Sequence, residues 1–387
     1  VSSVFTDTIF GLLAPVREFL LDDTVSEIMI NGPAEVFVER KGILEKTAAR
    51  FKDEQALQSA VRSIAQSVGR RIDDENPTLD ARLPHELEGA GGARIHAVFP
   101  PASRKGTTLS IRKFSKGNPS FLDLINKGSI SKDAARFIDV AVYLARNIII
   151  SGGTGSGKTT LLNVIGSRIP PKERLLIIED ASELKINTEH MVLFETKAPD
   201  AQGKGAVTIR DLVKSALRLR PDRIVVGEVR GPEAMDLINA MNTGHGGSMG
   251  TTHANTPYDA LIRLETLALM GDTQVPVAAI RRQISAAIHL VVQIKRMSDG
   301  SRKVTNISEI LPELDELGRY VTRDVFLFVQ RGKTQDAKIV GELVPTGYIP
   351  SFMHEIEVNR LPYGRDKFTP PDWYVQTQKK DPKQNAA

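Results

Sequence analysis

Apolar and polar residues alternate through "TVSEIMINGPAEVFVERKG", Thr24 to Gly42, and a Gly-Pro pair interrupts them, so this stretch predicts a hairpin of an antiparallel sheet. In "DEQALQSAVRSIAQSVGRRI", Asp53 to Ile72, the apolar positions switch to helical spacing. "ARIHAVFPP" and "TTLSIRKF" then read as strands flanking a polar loop, Ala102 to Gly106, which makes residues 25–114 a small α+β domain after an N-terminal segment, 1–24. The polar, Gly/Pro-containing "SKGNPS" opens a linker, 115–129. Beyond it the pattern changes to short, wholly apolar strands alternating with helices: "NIIISG", "RLLIIED", "DRIVVGE" and "HLVVQI". Strands this apolar are buried on both faces, so residues 130–375 predict an α/β domain with a mainly parallel sheet covered by helices and a C-terminal extension. "KRMSDG" followed by "SRKVTNISEI" predicts a hairpin turning at Asp299-Gly300. Residues 376–387, ending "QKKDPKQNAA", read as a flexible tail.

Composition changes this picture little. The chain has 387 residues, 41% hydrophobic and 25% charged, enough for two domains with ample cores. Its net charge of +4 is a small surplus of 51 basic over 47 acidic side chains, not a basic block. With no cysteine, disulfides and thiolate metal sites are excluded. No apolar run is long enough to span a bilayer, and the apolar start lacks the basic region and cleavage site of a signal peptide. The first residue is Val1 rather than Met, so upstream residues are expected to have been removed.

Chemistry enters with "GGTGSGKT", Gly152 to Thr159, which matches G-x-x-x-x-G-K-[ST] between an apolar strand and the helix-compatible "TLLNVIGSRI". Gly153, Thr154, Gly155, Ser156, Gly157, Lys158, Thr159 and Thr160 are the expected nucleotide-binding residues. Backbone N–H groups and the helix N-terminus would surround the phosphates, Lys158 would reach the β- and γ-phosphates of ATP, and the Thr159 hydroxyl would bind Mg²⁺. Two further strands deliver carboxylates to the same sheet edge: Glu179 and Asp180 after "LLII", and Glu228 after "RIVVG". The helix before the second begins at a capping box, Thr208-x-x-Asp211.

A further stretch, "GHGGSMGTTHAN", Gly244 to Asn255, has no apolar pattern and reads as a flexible glycine-rich segment holding His245 and His253. A zinc site is disfavoured, because the histidines stand eight apart with no adjacent carboxylate or cysteine. "RSIAQSVGRR" and "ALRLRP" are basic, but at 5% aromatic content the chain has few stacking platforms for nucleic acid.

Together these stretches resemble the secretion ATPases of type II and type IV secretion and pilus assembly, and within them the CpaF-type ATPases of tight-adherence (Flp) pili. The resemblance rests on the Walker A "SGGTGSGKTTLLN", the Asp box "IIEDASEL", the Walker B "LRLRPDRIVVGEVRGPEA" and the His box "GHGGSMGTTHAN", with "DARLP", "RIHAVFPP" and "LVPTGYIPSF" extending it over most of the chain. It implies a RecA-like ATPase domain behind a mobile N-terminal domain, with the site lying between them. It makes Glu228 the residue that positions water and places Glu179, Asp180 and Glu183 near the metal, so that Thr159, Asp180 and Glu228 hold Mg²⁺ partly through water. It makes His253 a γ-phosphate sensor and brings Arg94 and Arg112, with Arg82 a weaker match, to the terminal phosphates. Neither Arg94 nor Arg112 has a sequence-local acidic partner. One departure is "HELEGAGG", longer than the short turn expected between "DARLP" and "ARIHAVFPP". The resemblance further implies a homo-oligomer, a ring of six, at the cytoplasmic face of a bacterial inner membrane, associated with it through platform proteins and powering pilus assembly, retraction or secretion, with no nucleic acid. A RecA-like nucleic-acid translocase or helicase is the alternative. Intact Lys158, Thr159 and Glu228 argue against a catalytically silent adaptor.

Overall fold

The computed structural model describes residues 3–40, 42–83, 92–114, 117–199, 203–271 and 275–380. Two compact units make up the chain, Val1–Gly117 with Lys197–Ala206, and Asn118–Thr196 with Val207–Ala387.

The first unit holds α1 (Ser3–Leu12), α2 (Arg17–Leu21), β1 (Val25–Asn31), β2 (Val36–Arg40), β3 (Ile43–Lys46), α3 (Glu54–Ser67), β4 (Thr78–Leu83), β5 (Ala93–Val98) and β6 (Thr108–Lys113). Its strands pair antiparallel in the order β3-β2-β1-β6-β5-β4. Alternate residues of β1 and β5 turn inward, and Ile28, Ile30, Ile95 and Ala97 meet Leu57, Val61 and Ile64 of α3, the apolar stripe of a helix capped by Asp53.

The second unit contains α4 (Phe121–Asn126), α5 (Lys132–Tyr143), β7 (Ile148–Ser151), α6 (Lys158–Gly166), β8 (Leu175–Glu179), β9 (Met191–Glu195), α7 (Ile209–Ala216), β10 (Arg223–Val226), α8 (Glu233–Asn242), β11 (Met249–Thr252), α9 (Pro257–Leu269) and α10 (Val277–Ala287). It continues with β12 (Leu290–Arg296), β13 (Arg302–Leu314), β14 (Tyr320–Lys333), β15 (Ile339–Pro345), α11 (Met353–Val358) and α12 (Asp372–Lys380). The strands form one sheet, β15-β14-β13-β12-β7-β11-β10-β8-β9, in which β12 through β9 run parallel and β13 to β15 antiparallel. One face packs against α5 and α6, the other against α7 to α10. This is the expected mainly parallel α/β domain preceded by a smaller α+β domain. The Asp299-Gly300 turn joins β12 to β13, and the capping box of Thr208 and Asp211 starts α7.

Three expectations need correction. Residues 115–129 are more than a linker: Ser120 and Asp123 form a capping box that starts α4, and Leu124 is buried in the second unit's core. The chain past Gln376 is helical as far as Lys380, because α12 is anchored by Trp373, over whose ring the Arg331 guanidinium lies at 4.6 Å. The glycine-rich segment is not a flexible loop but contains β11, the central strand between β7 and β10, with all four residues buried. Its small and hydroxyl side chains hid it from an apolar count. They fit because the neighbours are close: Thr251 donates its hydroxyl to the Gly227 carbonyl at 2.7 Å, and Ser248 donates to His245 while accepting from the Ile224 amide. Residues 85–91 of the "HELEGAGG" insertion and the last seven residues lie outside the described residues.

Ahead of β11, Gly247 has φ of +80°, and a β-carbon there would stand 2.5 Å from the guanidinium of Arg223. Arg223 is fully buried, held by Glu173 and by the Val142 carbonyl at 2.7 Å, so it cannot retreat. Gly247→Ala is therefore expected to cost about 1–3 kcal/mol and lower the thermal midpoint. Gly300→Ala, which has a similar φ of +79° but open space around it, should cost less. Equal midpoints for the two variants would show that the segment yields and that Arg223 does not constrain it.

Candidate functional site

Parallel strands of an open α/β sheet present ligand-binding loops at their carboxyl ends, and the predicted residues of the second unit collect there. β7 runs into the phosphate loop, and α6 begins at Lys158 with Gly157 as its N-cap at φ of +98°, a left-handed conformation that a side chain would strain. The hydroxyl of Ser156 is buried in this loop with no hydrogen-bond partner among the described residues. Lys158 is 8% exposed, and its ammonium donates to the carbonyls of Gly152 (3.0 Å) and Gly153 (3.1 Å). The loop thus offers an unspent hydroxyl, a helix N-terminus and a buried cation, a donor set that suits phosphate oxygens. Thr159 and Thr160 follow on the first turn of α6.

From Lys158 the polar contacts run on without a break. Its ammonium lies 3.3 and 3.4 Å from Nδ1 and Nε2 of His253, just past β11. Nε2 of His253 is 2.7 Å from Oε1 of Glu228, just past β10. The other carboxylate oxygen, Oε2, accepts from Arg230, whose second arm is 3.7 Å from Asp180, just past β8. Charge follows geometry. Burial works to raise the Glu228 carboxyl, but the hydrogen bond and charge of Arg230, helped by the Lys158 charge and, when it is protonated, by that of His253, hold it below its ordinary value. Burial and the neighbouring Lys158 push His253 down, against the pull of Glu228. The imidazole of His253 therefore stands between the Lys158 ammonium and the Glu228 carboxylate, and burial beside Lys158 favours its neutral form.

Glu179 stands apart from this chain of contacts. It is 4% exposed, and its Oε1 accepts the amides of Glu183 (3.0 Å) and Leu184 (2.9 Å), which shapes the loop carrying Asp180. Burial, outweighing those two hydrogen bonds, raises its carboxyl to about 7. His245 lies before β11, its Nδ1 3.3 Å from the Ala240 carbonyl, so the strand separates the two histidines. Among the described residues no group of three or more His, Asp or Glu side chains is placed to hold a metal ion by itself.

In the first unit Arg82, Arg94 and Arg112 are direct register partners on β4, β5 and β6, a row of three guanidinium groups on one face. Arg94 has an acidic partner after all: Asp80, on the neighbouring strand, lies 3.3–3.4 Å from its guanidinium. Fourteen residues of separation hid a contact that strand pairing makes. Arg94 and Arg112 line a shallow cleft of about 240 Å³ with Glu27, Asp80, His96 and Ser110.

Arg230 and Glu233 were missed from sequence. Arg230 carried a legible signal, since two residues beyond Glu228 in extended chain is the same side. Glu233 did not: it is buried at the start of α8, where its Oε1 accepts the amides of Arg230 (2.7 Å) and Gly231 (2.8 Å).

Residues 12–331 match the family described as type II/IV secretion system protein. This chain belongs to that family. As a member of it, the chain is an ATPase and uses ATP. It is 37% identical over 286 residues to the conjugal transfer protein TrbB of Rhizobium radiobacter, covering 73% of this chain and 83% of that one. It is 35% identical over 339 residues to the type IV secretion system protein VirB11 of Bartonella quintana, covering 76% and 91%. Its fold is shared with the ATPase DotB of Legionella pneumophila, with a TM-score of 0.55 at 20% identity over 81% of this chain and 82% of that one.

For this secretion ATPase, Lys158→Ala is expected to abolish measurable ATP affinity, whereas Glu228→Gln should retain ATP and hydrolyse it at least about 10²-fold more slowly. Equilibrium binding and steady-state turnover separate the two defects. His253→Ala should slow turnover while the thermal midpoint stays within a few degrees. Wild-type turnover in Glu228→Gln would remove that carboxylate from the water-positioning role.

Proposed function

We propose that this chain is a Mg-ATP-driven motor, a ring of six at the cytoplasmic face of a bacterial inner membrane, which powers assembly of a tight-adherence (CpaF-type) pilus or a related secretion step through membrane platform proteins. What supports this reading above all is the unbroken run Lys158–His253–Glu228–Arg230–Asp180 at the carboxyl edge of the sheet, in a chain of this family. Lys158 neutralises phosphate charge, and Glu228 orients the attacking water with His253 reading whether that carboxylate is engaged. Mg²⁺, when bound, would supply positive charge to offset that of the phosphates. Thr159, Asp180 and Glu228 are its proposed holders, and oxygen donors of this kind, few in number, suit an ion that keeps most of its water. Glu179 serves the site by fixing the loop that carries Asp180. Among the described residues no helix is long and apolar enough to cross a membrane, so attachment to the membrane is proposed through partners. Isolation from cells after mild crosslinking should bring pilus or secretion platform proteins with the ring. Recovery with single-stranded nucleic acid instead, and turnover stimulated by it in a salt-sensitive way, would replace this reading with a translocase.

Arg94 and Arg112 are proposed to act on the terminal phosphate. Arg94 and Arg112 stand side by side in a cleft with Asp80 and Glu27, and guanidinium forks in such a place suit phosphate oxygens. Arg94→Ala and Arg112→Ala are each expected to slow hydrolysis by more than tenfold while ADP affinity changes by less than about threefold, because the added charge matters most for the transferring phosphoryl group. Activity recovered by mixing Arg94→Ala with Lys158→Ala chains would show that one chain's arginine serves another chain's phosphate loop. Normal turnover in both alanine variants would end the arginine assignment.

A further inference from the structure

Glu228 takes a side-chain hydrogen bond from Arg230, at Oε2. Its other oxygen, Oε1, lies 2.7 Å from Nε2 of His253 but is buried with no hydrogen-bond partner among the described residues. Arg230 itself is anchored at one end and loose at the other. Its backbone amide is fixed by the buried Glu233, while its side chain is 49% exposed. Its two arms are aimed at carboxylates from different strands, Glu228 after β10 and Asp180 after β8.

We propose that Arg230 is a positioning residue of the ATPase site, a guanidinium shared between Glu228 and Asp180 that holds Glu228 aside and passes to Asp180 when the carboxylate is needed. The exchange is cheap because the charge stays paired throughout. Losing Glu228 does not leave Arg230 a lone cation, since Asp180 is already within 3.7 Å. Arginine suits the task where lysine does not, because a planar fork reaches two acceptors at once and an ammonium favours one. A second consequence is electrostatic: Arg230 offsets part of the charge of two carboxylates that would otherwise add to the repulsion felt by the polyphosphate. This inference rests on Glu228 being the water-positioning carboxylate, and wild-type turnover in Glu228→Gln would expose the failure of that premise separately.

Binding of a fluorescent ATP analogue in excess EDTA tests the inference without metal or turnover. Arg230→Ala should weaken metal-free binding by about tenfold, the effect of leaving two nearby carboxylates uncompensated. The same change introduced into the Asp180→Asn, Glu228→Gln double variant should weaken it by less than about twofold. With metal present, Arg230→Ala should lower kcat by about tenfold or more at nearly unchanged KM, and Arg230→Lys should restore only part of it. Arg230→Gln replaces Arg230→Ala if the alanine variant fails to fold. A tenfold loss of metal-free affinity in both backgrounds would overturn the proposal, since Arg230 would then touch the phosphates directly. Unchanged affinity and kcat in Arg230→Ala would also overturn it, leaving an ordinary surface ion pair.

Discussion

A carboxylate drawn out of water stays ionised only where positive or hydrogen-bonding groups replace the solvent it has lost, and the site of this protein is organised around that requirement at Glu228. Its side chain is 18% exposed and yet charged, because Arg230, His253 and Lys158 surround it. Each of these comes from a different point on the sheet edge, so the strand order decides which can meet. β11 stands between β7 and β10, which brings the residue after it, His253, between the lysine that follows β7 and the glutamate that follows β10. A different order of the same strands would leave the carboxylate with Arg230 alone.

Much of this could be read from the chain. The phosphate loop, the carboxylates after apolar strands and the two-unit α/β plan follow from local spacing, because each depends on residues close together in sequence. β11 could not be read that way. Its burial follows from its place between β7 and β10, and Met249-Gly250-Thr251-Thr252 shows little of the apolar density by which those strands announce themselves. Contacts made by pairing across strands were hidden for the same reason. Asp80 meets Arg94 only because β4 lies beside β5, and the arginine row exists only in the register of β4, β5 and β6.

The separate treatment of Glu179 and Glu228 shows how one residue type takes two roles. Both follow apolar strands at the same edge, and from sequence they look equivalent. Glu179 spends an oxygen on two backbone amides, and burial outweighs them, so its carboxyl is pushed up to about 7. Glu228 meets a guanidinium and an imidazole and is held down. Environment, not residue type, sets the two carboxyls apart.

The nine strands of the second unit form one uninterrupted hydrogen-bonded ladder from β15 to β9. Such a plate is stiff in its own plane, since any in-plane deformation must stretch many backbone hydrogen bonds together, and helices bury apolar side chains against both its faces. Work done at the carboxyl edge therefore has little give to dissipate into. Like the bed of a machine tool, the sheet keeps its shape, and displacement has to appear in the short loops that end its strands.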